Sequence, residues 1–123
     1  MAQKILVVDD EQNIRDLAAL YLEKEGFAVD CAPTGMDALE RFDHVQPSLV
    51  ILDVMMPGMD GFEVARQIRE NPDMDGVKMV FLTAKGTQRD KAAGYASGAE
   101  YYLVKPFDND ELVQTITEII TYG

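Results

Sequence analysis

Five stretches of this chain are apolar runs of strand length, and between them apolar residues recur at helical spacing. Ile5-Leu6-Val7-Val8 is the first run and ends on Asp9-Asp10-Glu11. Leu49-Val50-Ile51-Leu52 is the third and ends on Asp53, after which Met55-Met56-Pro57-Gly58 breaks the chain. A short continuous apolar run bounded by turn signals is the pattern of a strand covered on both faces, as in a parallel sheet between two helical layers. Residues 27–32 alternate loosely and predict the second strand. Lys78–Thr83, around Met79-Val80-Phe81-Leu82, predicts the fourth, and 101–105 predicts the fifth, stopped by Pro106. Between the runs, Ile14, Leu17, Ala18 and Tyr21 form a helical stripe closed by Gly26 as a glycine just past the helix end. Pro33-Thr34-Gly35 is a turn before a helix over 36–45, with Met36, Leu39 and Phe42 facing inward. Asp60 caps a third helix over 61–70 with Phe62, Ala65 and Ile68 on one face, and Asn71-Pro72 stops it. Residues 73–76 are expected to form an exposed loop. A fourth helix over 87–97 is diluted by glycine, and a fifth starts near Asp108, with Glu111 three residues on as in a capping box. Leu112, Val113, Ile116, Ile119 and Ile120 form its stripe.

Five strands alternating with five helices predict an α/β fold. It is a doubly wound, five-stranded parallel sheet, (βα)5, with right-handed crossovers. The 123 residues fit one domain, expected to span residues 1–123, and no repeat or low-complexity tract interrupts them.

Composition narrows the functional classes. Hydrophobic residues make up 47% of the chain, which is no disordered composition. The formal net charge is −11, from 22 acidic and 11 basic residues. No basic stripe is present to neutralise phosphates, so nucleic acid is not an expected partner of this segment. No apolar run approaches the ~20 residues that cross a bilayer, and the opening Met1-Ala2-Gln3-Lys4 enters a strand directly, so no membrane segment or signal peptide is expected. Cys31 is the one cysteine, compatible with a reducing cytoplasm. Cys31 reads as a small strand residue, and His44, on the second helix, as a solvated surface residue.

Parallel strands bring their C-terminal ends to one edge. There the chain places Asp9 and Asp10, Asp53, Thr83 and Lys105. Taken singly, each has a bland explanation. Asp9-Asp10-Glu11 suits the start of a helix, Thr83 a strand end, and Lys105 a solvated surface. Together they are three carboxylates facing one ammonium. Like charges ~4 Å apart repel by about 4 kcal/mol at an effective dielectric of 20, so such a cluster raises a pKa or holds a cation. Oxygen ligands without histidine or cysteine select Mg²⁺, Mn²⁺ or Ca²⁺. So few protein ligands fit Mg²⁺ that keeps waters and shares a phosphate. Lys105 and the Thr83 hydroxyl are donors suited to phosphate oxygens, and a carboxylate can itself attack a phosphoryl group.

Val7-Val8-Asp9-Asp10-Glu11, Leu52-Asp53-Val54-Met55-Met56-Pro57-Gly58-Met59-Asp60-Gly61, Leu82-Thr83-Ala84 and Val104-Lys105-Pro106-Phe107 resemble the signature of response-regulator receiver domains. These are the phosphoacceptor halves of two-component signalling systems. The resemblance covers nearly the whole chain. It implies a flavodoxin-like strand order 2-1-3-4-5. It implies that Asp53 accepts a phosphoryl group from a sensor histidine kinase or a histidine phosphotransfer protein. It implies Mg²⁺ held by Asp10, Asp53 and the Met55 backbone carbonyl, with Asp9 acting through water. Lys105 would touch the phosphate and Asp53, and Thr83 would swing its hydroxyl onto the phosphate. Tyr102 stands at the switch-aromatic position and would turn inward as Thr83 moves. The Lys105-Pro106 bond is expected to be cis. The face of the fourth helix, fifth strand and fifth helix would then change its preference for a downstream effector, or for a second copy in a homodimer. Met55 and Lys85 stand where family members vary and tune the dephosphorylation rate.

Other functional classes fit less well. Small-molecule phosphatases that pass through an aspartyl phosphate pair it with a second aspartate two residues later, where this chain has Met55. The expectation is therefore a switch that is phosphorylated rather than a turnover enzyme. A pseudo-receiver would lack one of the acids or the lysine. A flavin carrier would carry a Ser, Thr and Gly loop after the first strand, where Asp9-Asp10-Glu11 would repel a phosphate.

Overall fold

The structure is a computed structural model, and it describes residues 3–83 and 101–122. The predicted helix over 87–97 and Lys85 lie outside the described residues. Among these, strands β1 (Lys4–Val8), β2 (Ala28–Ala32), β3 (Leu49–Asp53), β4 (Lys78–Thr83) and β5 (Tyr101–Val104) form one parallel sheet in the order β2-β1-β3-β4-β5. That is the order the resemblance implied. Helices α1 (Gln12–Lys24), α2 (Gly35–Val45), α3 (Gly61–Glu70) and a C-terminal helix (Asn109–Tyr122) cover it.

Strand periodicity sorts the core. Alternate side chains point to opposite faces, so each central strand feeds two layers. Leu6, Val50, Leu52, Met79 and Phe81 pack on one face with Ala38 and Phe42 of α2 and Val64, Ala65 and Ile68 of α3. Ile5, Val7, Leu49, Ile51, Val80 and Leu82 pack on the other with Ala18 and Leu22 of α1 and Leu112 and Ile116 of the C-terminal helix. All five residues of β3 are buried, because β3 has β1 and β4 as neighbours and a helical layer on either side.

The helix ends follow local chemistry. Asp60 Oδ1 accepts from the Glu63 amide at 2.9 Å. Asp108 and Glu111 exchange reciprocal bonds, Glu111 N–H to Asp108 Oδ1 at 2.8 Å and Asp108 N–H to Glu111 Oε1 at 3.4 Å. Gly26 has φ +94°, and the amides of Gly26 and Phe27 return to the carbonyls of Glu23 and Leu22 to close α1.

Three local readings change. Thr34 is a helix cap rather than only a turn residue: its hydroxyl accepts from the Asp37 amide, and α2 begins at Gly35. Met36 is 56% exposed rather than inward, while Gly35, Ala38 and Phe42 carry the buried face of α2. Residues 73–76 are only partly an exposed loop. Asn71 caps a 3-10 turn over Pro72–Met74, which folds Met74 into the core. Among the described residues, no helix is long and apolar enough to cross a membrane.

Candidate phosphoacceptor site

β1 and β3 are adjacent and parallel, with Val8 opposite Leu52, so the residues that follow them, Asp9 and Asp53, emerge side by side. Asp9 is fully buried, and every polar group it carries is engaged. Its amide donates to the Ala32 carbonyl at 3.2 Å, and its Oδ1 accepts from the Glu11 amide at 2.9 Å. Its carbonyl accepts from Arg15 Nη1 at 2.8 Å. Its Oδ2 is buried and makes an ion pair with Lys105 Nζ at 2.8 Å, without the angles of a hydrogen bond.

Asp53 is 3% exposed. Its Oδ1 accepts from the Met55 amide at 3.2 Å, and its Oδ2 lies 3.4 Å from Lys105 Nζ. The start of α3 presses on its backbone. A Cβ on Gly61 would collide with the Asp53 carbonyl oxygen and come within 3.1 Å of Val54 Cα, so only glycine lets the helix begin so close. Gly58, at φ +76°, makes the preceding turn.

Lys105 is placed by the ladder, its amide donating to the Thr83 carbonyl at 2.7 Å. Its ammonium also stands 3.5 Å from Glu11 Oε1. The Lys105-Pro106 peptide is cis. Thr83 is buried at the end of β4. Tyr102 is buried on β5, its ring 5.6 Å from that of Phe81. Met55, by contrast, is 76% exposed.

The electrostatics follow from burying acids together. Burial, and then the neighbouring Asp9 charge, push the Asp53 carboxyl up to about 6, against the pull of Lys105 and the Met55 amide. Burial works against the Lys105 ammonium, but its contact with Asp9 and the fields of Asp53, Asp9 and Glu11 outweigh that and raise it. Carboxylate oxygens of Asp9, Asp10 and Asp53 all lie within 4.8 Å of one another. Asp10 is exposed, so the cluster opens to solvent on that side. Three hard anionic donors, partly buried and opposed among the described residues by a single close ammonium, fit a divalent cation such as Mg²⁺. The structure thus brings together Asp9, Asp10, Asp53 and Lys105. Sequence reasoning missed the part played by Arg15 and Gly61. A glycine at the first position of a capped helix was visible, but the strand end it approaches lies eight residues back.

Known proteins share this fold. The family model for the response regulator receiver domain matches residues 5–117. The chain belongs to that family. The chemotaxis protein CheY4 of Vibrio cholerae is 32% identical, over 97% of this chain and 99% of that one, with a TM-score of 0.93. A response regulator of Chloroflexus aurantiacus is 33% identical, over 98% and 99%, with the same TM-score. DrrB of Thermotoga maritima, an OmpR/PhoB homologue, is 31% identical with a TM-score of 0.88. This chain covers 54% of it. A receiver domain is a signalling switch of two-component systems, and that is the class of this chain.

Proposed function

We propose that this receiver domain accepts a phosphoryl group on Asp53. The observation that carries the reading is the convergence of two buried carboxylates, Asp9 and Asp53, on the half-buried Lys105 ammonium. A carboxyl that titrates near 6 is mostly ionised at neutral pH, yet more basic than an ordinary aspartate. Both properties suit a nucleophile. Asp53 Oδ2 attacks the phosphorus of a phosphohistidine on a sensor kinase or phosphotransfer protein. The O–P bond forms, the P–N bond breaks, and the imidazole leaves with the electron pair. Lys105 meets the charge on the transferring oxygens, and the Thr83 hydroxyl donates to one of them.

Asp9, Asp10, Asp53 and the Met55 carbonyl would hold Mg²⁺, Asp9 through water. The bound ion would offset the carboxylate charge and polarise the phosphoryl group. Thr83 and Tyr102 sit on adjacent strands and couple the site to the outer face of β5 and the C-terminal helix. There Tyr101 and Val104 are half-exposed beside Glu111, Gln114 and Glu118. That face meets the downstream effector or a second copy, in the cytoplasm. The phosphoryl group favours one of two existing states of this face.

Intact mass after incubation with Mg²⁺ and acetyl phosphate tests this reading. Wild type gains one phosphoryl group. Asp53→Asn gains none, and a chelator abolishes the gain. An unchanged wild-type mass, or equal labelling of Asp53→Asn, would overturn the reading.

A further inference from the structure

Arg15 stands where helix physics disfavours it. It lies within the first turns of α1, a helix whose first turn carries no acidic residue, and a cation near a helix N-terminus opposes the macrodipole. Its guanidinium turns back instead, and Nη1 donates to the Asp9 carbonyl at 2.8 Å. That carbonyl belongs to the Asp9–Asp10 peptide, a rigid plane. The other side of the plane is the Asp10 amide, and the position of the Asp10 side chain follows from its tilt. Asp9 is held by three further contacts of its own, through its amide and its two carboxylate oxygens. Asp10 is exposed and shares none of them. Among the described residues, the Arg15 bond to the peptide between the two acids is therefore the contact that reaches Asp10.

We infer that Arg15 is a positioning residue for the divalent cation site: it fixes the Asp9–Asp10 peptide and so the direction in which Asp10 meets the metal. The inference rests on the cation reading of the acidic cluster. Arg15 touches neither phosphoryl group nor ion. Outer contacts of this kind that orient a ligand contribute roughly ten- to a hundred-fold in metal affinity.

A second arginine supplies the control. Arg41, on α2, donates in the same manner to the Cys31 carbonyl of β2, which is not part of the Asp9–Asp10 peptide. The variants Arg15→Met and Arg41→Met keep the aliphatic stem and remove the guanidinium. Mg²⁺ affinity is measured by calorimetry on protein shown to be folded by circular dichroism. Arg15→Met is expected to weaken Mg²⁺ binding about tenfold, with Arg41→Met within twofold of wild type. A change under twofold in Arg15→Met would overturn the inference. So would an equal loss in both variants, since that reports general loosening of the scaffold. If the wild type binds no Mg²⁺, the cation reading itself fails, an outcome distinct from either of these.

Discussion

At the N-terminal end of the sheet, polar groups meet solvent and one another. Ser48 donates to Gln3 Oε1 at 2.6 Å, and the Ser48 amide and carbonyl carry the ladder between Lys4 and Lys78. At the C-terminal end of the same strands, Asp9 and Asp53 are withdrawn from water, and the half-buried Lys105 ammonium lies within 3.4 Å of a carboxylate oxygen of each. The core between is continuous, so hydrophobic burial does not distinguish the ends. The difference is electrostatic. One end is relaxed and replaceable, and the other keeps like charges together against their repulsion. A cluster in that condition gains most from whatever brings positive charge or disperses negative charge, which is the chemistry of cation binding and phosphoryl transfer.

The contrast can be broken most strongly at Lys105. Lys105→Met leaves Asp9 and Asp53 buried without their counter-charge. It is expected to cost about 3 kcal/mol in urea unfolding at neutral pH with a chelator present. Adding Mg²⁺ recovers part of that loss, because a ligand bound only by the native state stabilises it. An unchanged midpoint would mean that the acids do not strain this edge.

Asp53→Asn acts in the opposite direction. The folded-state value near 6 lies above the ordinary 3.8, so the native state binds the extra proton more tightly than the unfolded chain. The stability from that proton is present below about 3.8 and is lost as pH rises toward 6. Above 6 the ionised Asp53 therefore costs the fold roughly 1–3 kcal/mol. In chelator, Asp53→Asn is expected to be more stable than wild type above pH 6, with the gap closing as pH falls toward 4. Thermal unfolding across that range reads it. The smallest effect belongs to the relaxed end, where Ser48→Ala is expected to shift stability by no more than about 0.5 kcal/mol at any pH.

How much of this was legible in the sequence varies with the range of the interaction. Each of Asp9, Asp53, Thr83 and Lys105 follows an apolar run, and parallel strands must bring such ends to one edge, so the cluster could be read before any pairing was known. Asp60, the Asp108 and Glu111 pair and Gly26 were equally legible, since a cap is a bargain between residues three or four apart. The strand order was not derivable from periodicity. Which strands pair is decided by non-local packing, and the order came only from the family resemblance. Met36 and Met74 show the same limit in reverse. Both are apolar residues near element ends, and only the tertiary position of the turn puts Met36 outside and Met74 inside. Arg15 carried no signal in the sequence, because its partner is a backbone carbonyl that no side-chain pattern reveals.

The most direct test of the central claim is to locate the phosphoryl group. After labelling with acetyl phosphate and Mg²⁺, the protein is digested and its fragments are weighed. The fragment that contains Asp53 is expected to carry the added phosphoryl mass, and the fragment that contains Asp9 and Asp10 is expected to be unmodified. A phosphoryl group on the Asp9-Asp10 fragment, or on neither, would contradict the account.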